Sequence, residues 1–182
     1  LEALRSLVEA TTGTGQAFLE ALVLNLTRSL GVKHALVGEL TDEAPTESRV
    51  LAVSWDGAPG KPFTYALDGT PCERALDAGE LAYYPSGVAD LFPRDLALAR
   101  KGIEAYMGCP LLAPDGRRLG ILVVLHDRPL DEATEPRTIL RIFAARAAAE
   151  LTAMREGRRH REGEAMLRYA LAAANMATFD FD

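Results

Sequence analysis

The chain has 182 residues and a formal net charge of −6 at pH 7, from 26 acidic and 20 basic side chains. Apolar residues make up 48% and charged residues 25%, which are ordinary globular values, so a wholly disordered chain is excluded and the acidic balance disfavours nucleic-acid binding. No apolar run is long enough to cross a membrane and no signal peptide is visible, so we expect a cytoplasmic protein.

Apolar spacing predicts helices and strands in the first half of the chain. Leu4, Leu7 and Val8 favour a helix over residues 1–10, and a second apolar stripe favours a helix over 18–30 that ends at Gly31. Segments rich in Val, Leu and Ala predict strands at 34–40 and 49–55. The remaining elements predicted here are a turn at 41–45, an extended piece at 64–67, a helix at 71–79, a short strand at 81–84 and an irregular helical segment at 90–102.

The second half predicts a β-hairpin and a long helix. Strands at 103–112 and 118–126 are joined by Pro114-Asp115-Gly116, in which proline fixes φ and glycine tolerates positive φ. A helix over about 137–161 carries a coiled-coil-like apolar seam. The seam residues, which step by three or four, are Leu140, Phe143, Ala147, Leu151 and Met154.

The last residues predict the start of a second domain. A charged connector at 158–161 is followed by a short amphipathic helix around Met166, Leu167 and Leu171. Residues 178–182 then alternate apolar and polar side chains, which is typical of the first residues of a strand.

Three segments carry a pattern that is more specific than secondary structure. They are Ala89-Asp90-Leu91-Phe92-Pro93-Arg94-Asp95, Tyr106-Met107-Gly108-Cys109-Pro110-Leu111 and Gly116-Arg117-Arg118-Leu119-Gly120-Ile121-Leu122-Val123. Together they resemble GAF domains, the small-molecule sensing modules of bacterial signalling proteins. The tail resembles the opening of a PAS domain. The domain boundaries expected on this basis are an N-terminal helix or linker at 1–14, a GAF-like sensory domain at 15–151, a connecting helix at 152–166 and a truncated PAS-like start at 167–182.

The resemblance implies an α+β fold in α/β/α layers. The first and last helices would pack on one face of an antiparallel sheet, and the irregular middle segment would roof the other face and close a pocket. The candidate pocket residues are Trp55, Cys72, Tyr84, Phe92, Tyr106, Val123 and Leu125. The alternative interpretation of the aromatic residues is that they are ordinary core.

Cys72 allows two interpretations. It opens the helix that follows Pro71, where helix dipoles can lower a thiol pKa and make the sulfur reactive. A buried structural thiol is the alternative and the one we favour. Cys109, in an apolar strand, is expected to be core, and no phosphate-loop, serine-hydrolase or zinc motif supports a catalytic or metal site.

The resemblance implies a non-catalytic sensory or regulatory module of a larger signal-transduction protein. That protein would be a sensor histidine kinase or a cyclic-di-GMP enzyme of GAF–PAS arrangement, with PAS and effector domains downstream. The module would bind a small ligand or pass a signal through its terminal helices. We expect a homodimer with the long helices side by side and with Leu151 and Met154 near the dimer axis, because both residues are expected to lie beyond the sheet.

An enzyme is the alternative function. Some GAF domains reduce free methionine sulfoxide, and that activity would use Cys72. It would also need a second cysteine near Ala99 and acidic residues near Tyr106, Val123 and Leu125, and the sequence has none of these. A bilin-binding photoreceptor is disfavoured because Cys72 is followed by Glu73 where the pigment-binding pattern has histidine.

Overall fold

A computed structural model of the protein describes residues 13–41, 46–131 and 134–179. The predicted first helix, most of the turn at 41–45 and residues 180–182 lie outside the described residues. The helices are α1 (Gly15–Leu30), α2 (Pro71–Ala78), α3 (Val88–Leu91), α4 (Leu96–Arg100) and α5 (Thr134–Phe179). The strands are β1 (His34–Leu40), β2 (Glu47–Trp55), β3 (Ala58–Pro59), β4 (Phe63–Ala66), β5 (Ala82–Tyr84), β6 (Ala105–Leu112) and β7 (Arg118–His126).

The described strands form one antiparallel sheet in the order β3-β2-β1-β7-β6-β5, with β4 pairing beside β3 on the outer edge of β2. The predicted hairpin is β6–β7, and Gly116 lies in its turn with φ +82°. Gly120 lies in β7 opposite β1, where an added Cβ would come within 2.0 Å of the Gly38 carbonyl oxygen. Only glycine lets the two strands pair there, and the predicted hairpin with Gly116 in its turn is confirmed.

Helices cover both faces of the sheet, which confirms the α+β fold in α/β/α layers. On one face α1 and α5 enclose a core that contains Phe18, Leu22 and Phe143. On the other face the segment from β4 to α4 encloses a second core that contains Leu76, Val88 and Tyr106. The sheet centre is therefore buried on both sides, which explains why β6 and β7 are apolar at nearly every position.

Helix α5 differs from its sequence-based prediction. It is one continuous helix of 46 residues, about 69 Å long at about 1.5 Å per residue. The predicted strand at 178–182 is wrong for residues 178 and 179, which are helical. No proline follows Pro136, and three of the four residues at 158–161 are arginines, which are good helix formers, so the charged segment favours a continuous helix.

The seam on α5 faces inward. Leu140 and Leu151 are fully buried in the core against α1 and the sheet, Phe143 and Ala147 are buried with them, and Met154 packs against the same cluster. The expectation that Leu151 and Met154 run beyond the sheet is therefore wrong. The ends of β1 and β7 reach this part of the helix, so these side chains are covered within the domain.

A buried carboxylate joins α5 to the sheet. Glu39, near the end of β1, is 4% exposed. It accepts hydrogen bonds from Arg49 on β2 at 2.6 Å, from Arg155 on α5 at 2.9 Å, and from Arg158 on α5. Arg155 also donates to the Leu119 carbonyl oxygen of β7 at 3.0 Å. Burial alone raises the pKa of Glu39, but the hydrogen bonds from the three arginines outweigh it and hold the pKa below its ordinary value.

Replacing Glu39 with glutamine should destabilise the domain, because the arginines then face a neutral amide. We expect Glu39→Gln to lower the free energy of unfolding by about 3 kcal/mol, the order seen when one partner of a buried ion pair is removed. Urea unfolding followed by circular dichroism measures the change. Asp115→Asn, which breaks the exposed Arg117–Asp115 pair, is the control and should cost much less, because an exposed ion pair is screened by solvent. Equal losses in the two variants would contradict the prediction.

The depressed pKa also fixes a pH dependence. The contribution of an ionised Glu39 is complete above the pKa of the unfolded chain, about 4.3, and is lost as the pH falls through the lower folded value. The wild-type protein should therefore lose more unfolding free energy than Glu39→Gln between about pH 5 and pH 2. Parallel acid titrations of the two proteins would contradict this expectation.

Candidate functional site

A cavity of about 230 Å³ lies between the sheet and the segment that carries α2, α3 and α4. Strands β6 and β7 form its floor with Tyr106, Val123 and Leu125. The edge strands form one side, and α4 with the N-terminus of α2 forms the roof. Most of the lining is apolar, which is the usual character of a small-molecule site.

The local sequence explains the position of the roof helices. Pro71 occupies the first turn of α2, and the Thr70 hydroxyl accepts the Glu73 amide hydrogen, which caps the helix. The Asp95 carboxylate caps α4 by accepting the Ala97 amide hydrogen at 3.2 Å. These caps hold two short helices, which have little intrinsic stability, over the sheet.

Five of the seven sequence-predicted pocket residues line this cavity: Trp55, Cys72, Tyr106, Val123 and Leu125. Tyr84 and Phe92 do not line it. Their rings meet edge to face at 5.1 Å, and the Tyr84 ring lies 5.9 Å from that of Tyr106. They therefore support Tyr106 from behind.

Several lining residues were missed by sequence reasoning. Phe63 and Tyr65 come from β4, and together with Trp55 they form a row of rings separated by 6.0 and 6.1 Å. The alternation of Phe63, Thr64 and Tyr65 is a strand signal that could have found them. The charged lining residues Asp68, Arg94, Asp95 and Lys101 come from loops and helix ends, where no periodic pattern exists.

The mouth of the cavity carries the charged groups. Asp68 accepts hydrogen bonds from both terminal nitrogens of the Arg94 guanidinium, and this exposed ion pair joins the loop before α2 to the loop before α4. The Lys101 ammonium nitrogen lies 4.0 Å from the centroid of the Trp55 ring, a cation–π contact. Burial raises the pKa of the Asp95 carboxyl, although its backbone hydrogen bonds act in the opposite direction.

The inner end of the cavity carries neutral polar groups. The Tyr106 hydroxyl donates to the Cys72 sulfur at 3.4 Å. Burial raises the pKa of Cys72 to about 11 and raises the pKa values of Tyr65 and Tyr106 well above the ordinary range, so all three groups stay protonated. Desolvation is the largest of these effects, which favours the interpretation of Cys72 as a buried structural thiol. Gly108 leaves room for the Tyr106 hydroxyl, since an added Cβ would lie 2.0 Å from it.

The sequence profile of the GAF domain matches residues 14–151, which is most of the chain. The chain belongs to the GAF domain family. The match agrees with the architecture, and it covers every strand and every residue that lines the cavity.

Solved structures of GAF domains share this fold. The GAF domain of a phosphoenolpyruvate-protein phosphotransferase from Coxiella burnetii superposes with a TM-score of 0.70 at 19% identity, over 86% of this chain and 94% of that one. The corresponding domain from Acinetobacter superposes with a TM-score of 0.66 at 14% identity, over 85% of this chain and 94% of that one. Bacteriophytochrome RpBphP3 of R. palustris gives 0.66 at 14% identity, over 92% of this chain but only 40% of that one. No curated protein matches the chain.

Two further properties bear on the function of the GAF domain. Within residues 13–41, 46–131 and 134–179, no helix has both the length and the apolar character needed to cross a bilayer. The same part of the chain holds no group of three His, Cys, Asp or Glu side chains placed to bind a metal ion.

Cys72 should react slowly with thiol reagents in the folded protein. A pKa of about 11 leaves about one thiol in ten thousand ionised at pH 7, and the thiolate is the reacting form. Both cysteines are free and buried, so we expect Ellman's reagent to modify neither until the protein unfolds in guanidinium chloride. Cys109→Ser isolates the reaction of Cys72. Stoichiometric labelling of Cys72 within seconds under native conditions would contradict this expectation.

Proposed function

We propose that this GAF domain is a non-catalytic regulatory module that binds a small molecule in the cavity of about 230 Å³. The observation that carries the proposal is the construction of this cavity: an aromatic and aliphatic pocket under a roof of short helices. Drug-sized ligands occupy sites of about 300–1,000 Å³, so the molecule would be smaller than these. Its binding would add contacts between the roof and the sheet.

The sheet offers a route from the cavity to α5. Val123 lines the cavity, while its neighbour Val124 faces the core shared with α1 and α5. A ligand that displaces β7 therefore changes the packing under α5 as well, since closely packed interiors transmit small shifts. The parent protein would be a cytoplasmic sensor histidine kinase or cyclic-di-GMP enzyme, with a PAS domain after α5 and an effector beyond it.

The distal half of α5 supplies a surface for a homodimer. Met166, Leu167 and Leu171 are 76%, 63% and 58% exposed and lie on one side of the helix. A helix that extends beyond its domain gains little from propensity alone, and it becomes stable when its apolar side is covered. The dimer seam would therefore lie here, beyond the buried Leu140 to Met154 stripe.

The methionine sulfoxide reductase alternative has less support. Cys72 lies in the core on the cavity side of the sheet, whereas Cys109 lies in the core on the α1 and α5 side. The two thiols are thus separated by the sheet and cannot form a relay without unfolding. The protonated state of Cys72 also argues against a nucleophile.

Native mass spectrometry of the protein purified from its own host tests ligand binding. We expect wild-type protein to retain a small molecule. Val123→Phe should lose it, because the larger side chain fills the cavity from its floor, and a thermal scan checks that the variant is folded. A wild-type protein that carries no small molecule, and that no metabolite extract stabilises against heat, would contradict the proposal.

Sedimentation velocity tests the dimer. We expect a dimer for the wild type and a monomer for Leu167→Glu, because a charge in the seam lacks a partner. Ala172→Glu places the same side chain about 140° around the helix from Leu167, on an exposed position away from the seam, and should leave the dimer intact. Both variants should keep the unfolding midpoint of the domain core. A monomeric wild type at high micromolar concentration would remove the dimer from the mechanism.

A further inference from the structure

The Lys101 ammonium group at the cavity mouth has no counter-ion among the residues that the structure describes. Of the charged groups there, Arg94 is bound by Asp68, and Asp95 caps α4. Lys101 lies over the Trp55 ring and makes no ion pair within the described residues. An ammonium group over an aromatic face, at the entrance of an apolar cavity, is placed to meet an anion that enters with the ligand.

The inner end of the cavity has a second unpartnered group. The Tyr65 hydroxyl oxygen is buried and makes no hydrogen bond of good geometry within the described residues, although it faces Cys72 and Ser48. Ser48 on β2 lies opposite Tyr65 on β4 in the sheet register. Its buried hydroxyl likewise makes no hydrogen bond of good geometry within the described residues. Buried polar groups normally find partners, and Tyr65 lines the cavity whereas Ser48 does not, so a polar group of a bound molecule could complete the hydrogen bonding of Tyr65.

The two ends differ in the charge they accept. The inner end is lined by Tyr65, Tyr106 and Cys72, which offer no positive charge to an anion. The inner groups are themselves neutral, so they suit a hydroxyl. The anion is therefore favoured at Lys101, and a neutral hydrogen-bonding group at Tyr65.

The middle of the cavity suits a flat ring. Trp55, Phe63 and Tyr65 form its wall, and the first two rings are stacked, with an interplanar angle of 23°. Aromatic surfaces of this kind gain from offset stacking with another ring, beyond the burial of area. The volume of about 230 Å³ leaves room for one ring and short substituents.

We infer that the cavity binds a monocyclic aromatic carboxylate with a hydroxyl at the far end of the ring, its carboxylate at Lys101 and its hydroxyl at Tyr65. This inference rests on the proposed function, since it names the ligand class of the same cavity. Binding would move the Lys101 side chain from the Trp55 ring to the ligand and would satisfy the orphaned hydroxyl.

Calorimetric titration with three probes tests the charge and the hydroxyl. They are 4-hydroxyphenylacetate, phenylacetate, which lacks the hydroxyl, and tyramine, which carries a protonated aminomethyl group in place of the carboxylate. We expect 4-hydroxyphenylacetate to bind about tenfold more tightly than phenylacetate, as the loss of a buried hydrogen bond requires. Tyramine should bind more weakly than either.

Two variants assign the ends. Lys101→Met keeps the apolar stem over Trp55 and removes the charge, so it should weaken the binding of both carboxylates about tenfold. Lys61→Met, a control at an exposed position in the loop before β4, should leave their binding unchanged. Tyr65→Phe should weaken the binding of 4-hydroxyphenylacetate and leave the binding of phenylacetate unchanged. The four affinities form a double-mutant cycle for the two hydroxyl groups. Because the Tyr65 hydroxyl has no formed hydrogen bond, this variant should stay folded.

The outcomes separate the ligand class from the regulatory function. Tighter binding of tyramine than of 4-hydroxyphenylacetate overturns the charge assignment, while the cavity remains a ligand site. Binding of none of the probes overturns the ligand class, and native mass spectrometry then decides separately whether the cavity holds another molecule. Equal weakening of the carboxylates by Lys101→Met and Lys61→Met overturns the role of Lys101.

Discussion

The buried carboxylate of Glu39 fixes where the long helix lies on the sheet. A charge removed from water costs several kcal/mol unless partners surround it. Here the partners come from β2 and from two successive turns of α5, and Arg155 also bonds to β7. The hydrogen bonds are directional, so a slide of α5 by one turn would break them together. An apolar contact would tolerate such a slide far better.

The sheet that Glu39 joins to α5 is shared by the two hydrophobic cores. The sheet is covered on both sides, and adjacent residues of β7 face different cores, as Val123 and Val124 do. The cavity side is incompletely packed, with short capped helices and orphaned hydroxyls, whereas the side under α5 is filled. A ligand would therefore meet resistance from the filled core and would move the roof first. In the proposed mechanism, the sheet would then pass the remaining shift to α5 through Glu39.

The sequence predicts the features that local chemistry controls. Pro114-Asp115-Gly116 specifies the hairpin turn, and alternation on β6 and β7 places Tyr106 and Val123 on the cavity side. The features that were missed depend on distant contacts. Glu39 is one acidic residue in an apolar strand, and nothing near it in sequence points to Arg155. The burial of Leu151 depends on how far the sheet reaches under α5, and the burial of Cys72 outweighs the helix dipole that its position suggests. The pattern at 178–182 suits a strand, yet its first two residues continue a helix that no proline or glycine pair interrupts.

Because α5 is continuous, the number of residues in the connector sets the angle between the sheet and the distal part of the helix. An α-helix turns by about 100° per residue, and Glu39 holds the proximal end in place through Arg155 and Arg158. One residue inserted between Arg158 and Met166 would turn the exposed apolar side, and any domain that follows, by that angle relative to the sheet. Seven inserted residues would restore nearly the original direction. Chimeras that join this domain to an output domain should therefore regulate that domain only at connector lengths spaced by about seven residues, because only these lengths restore its orientation.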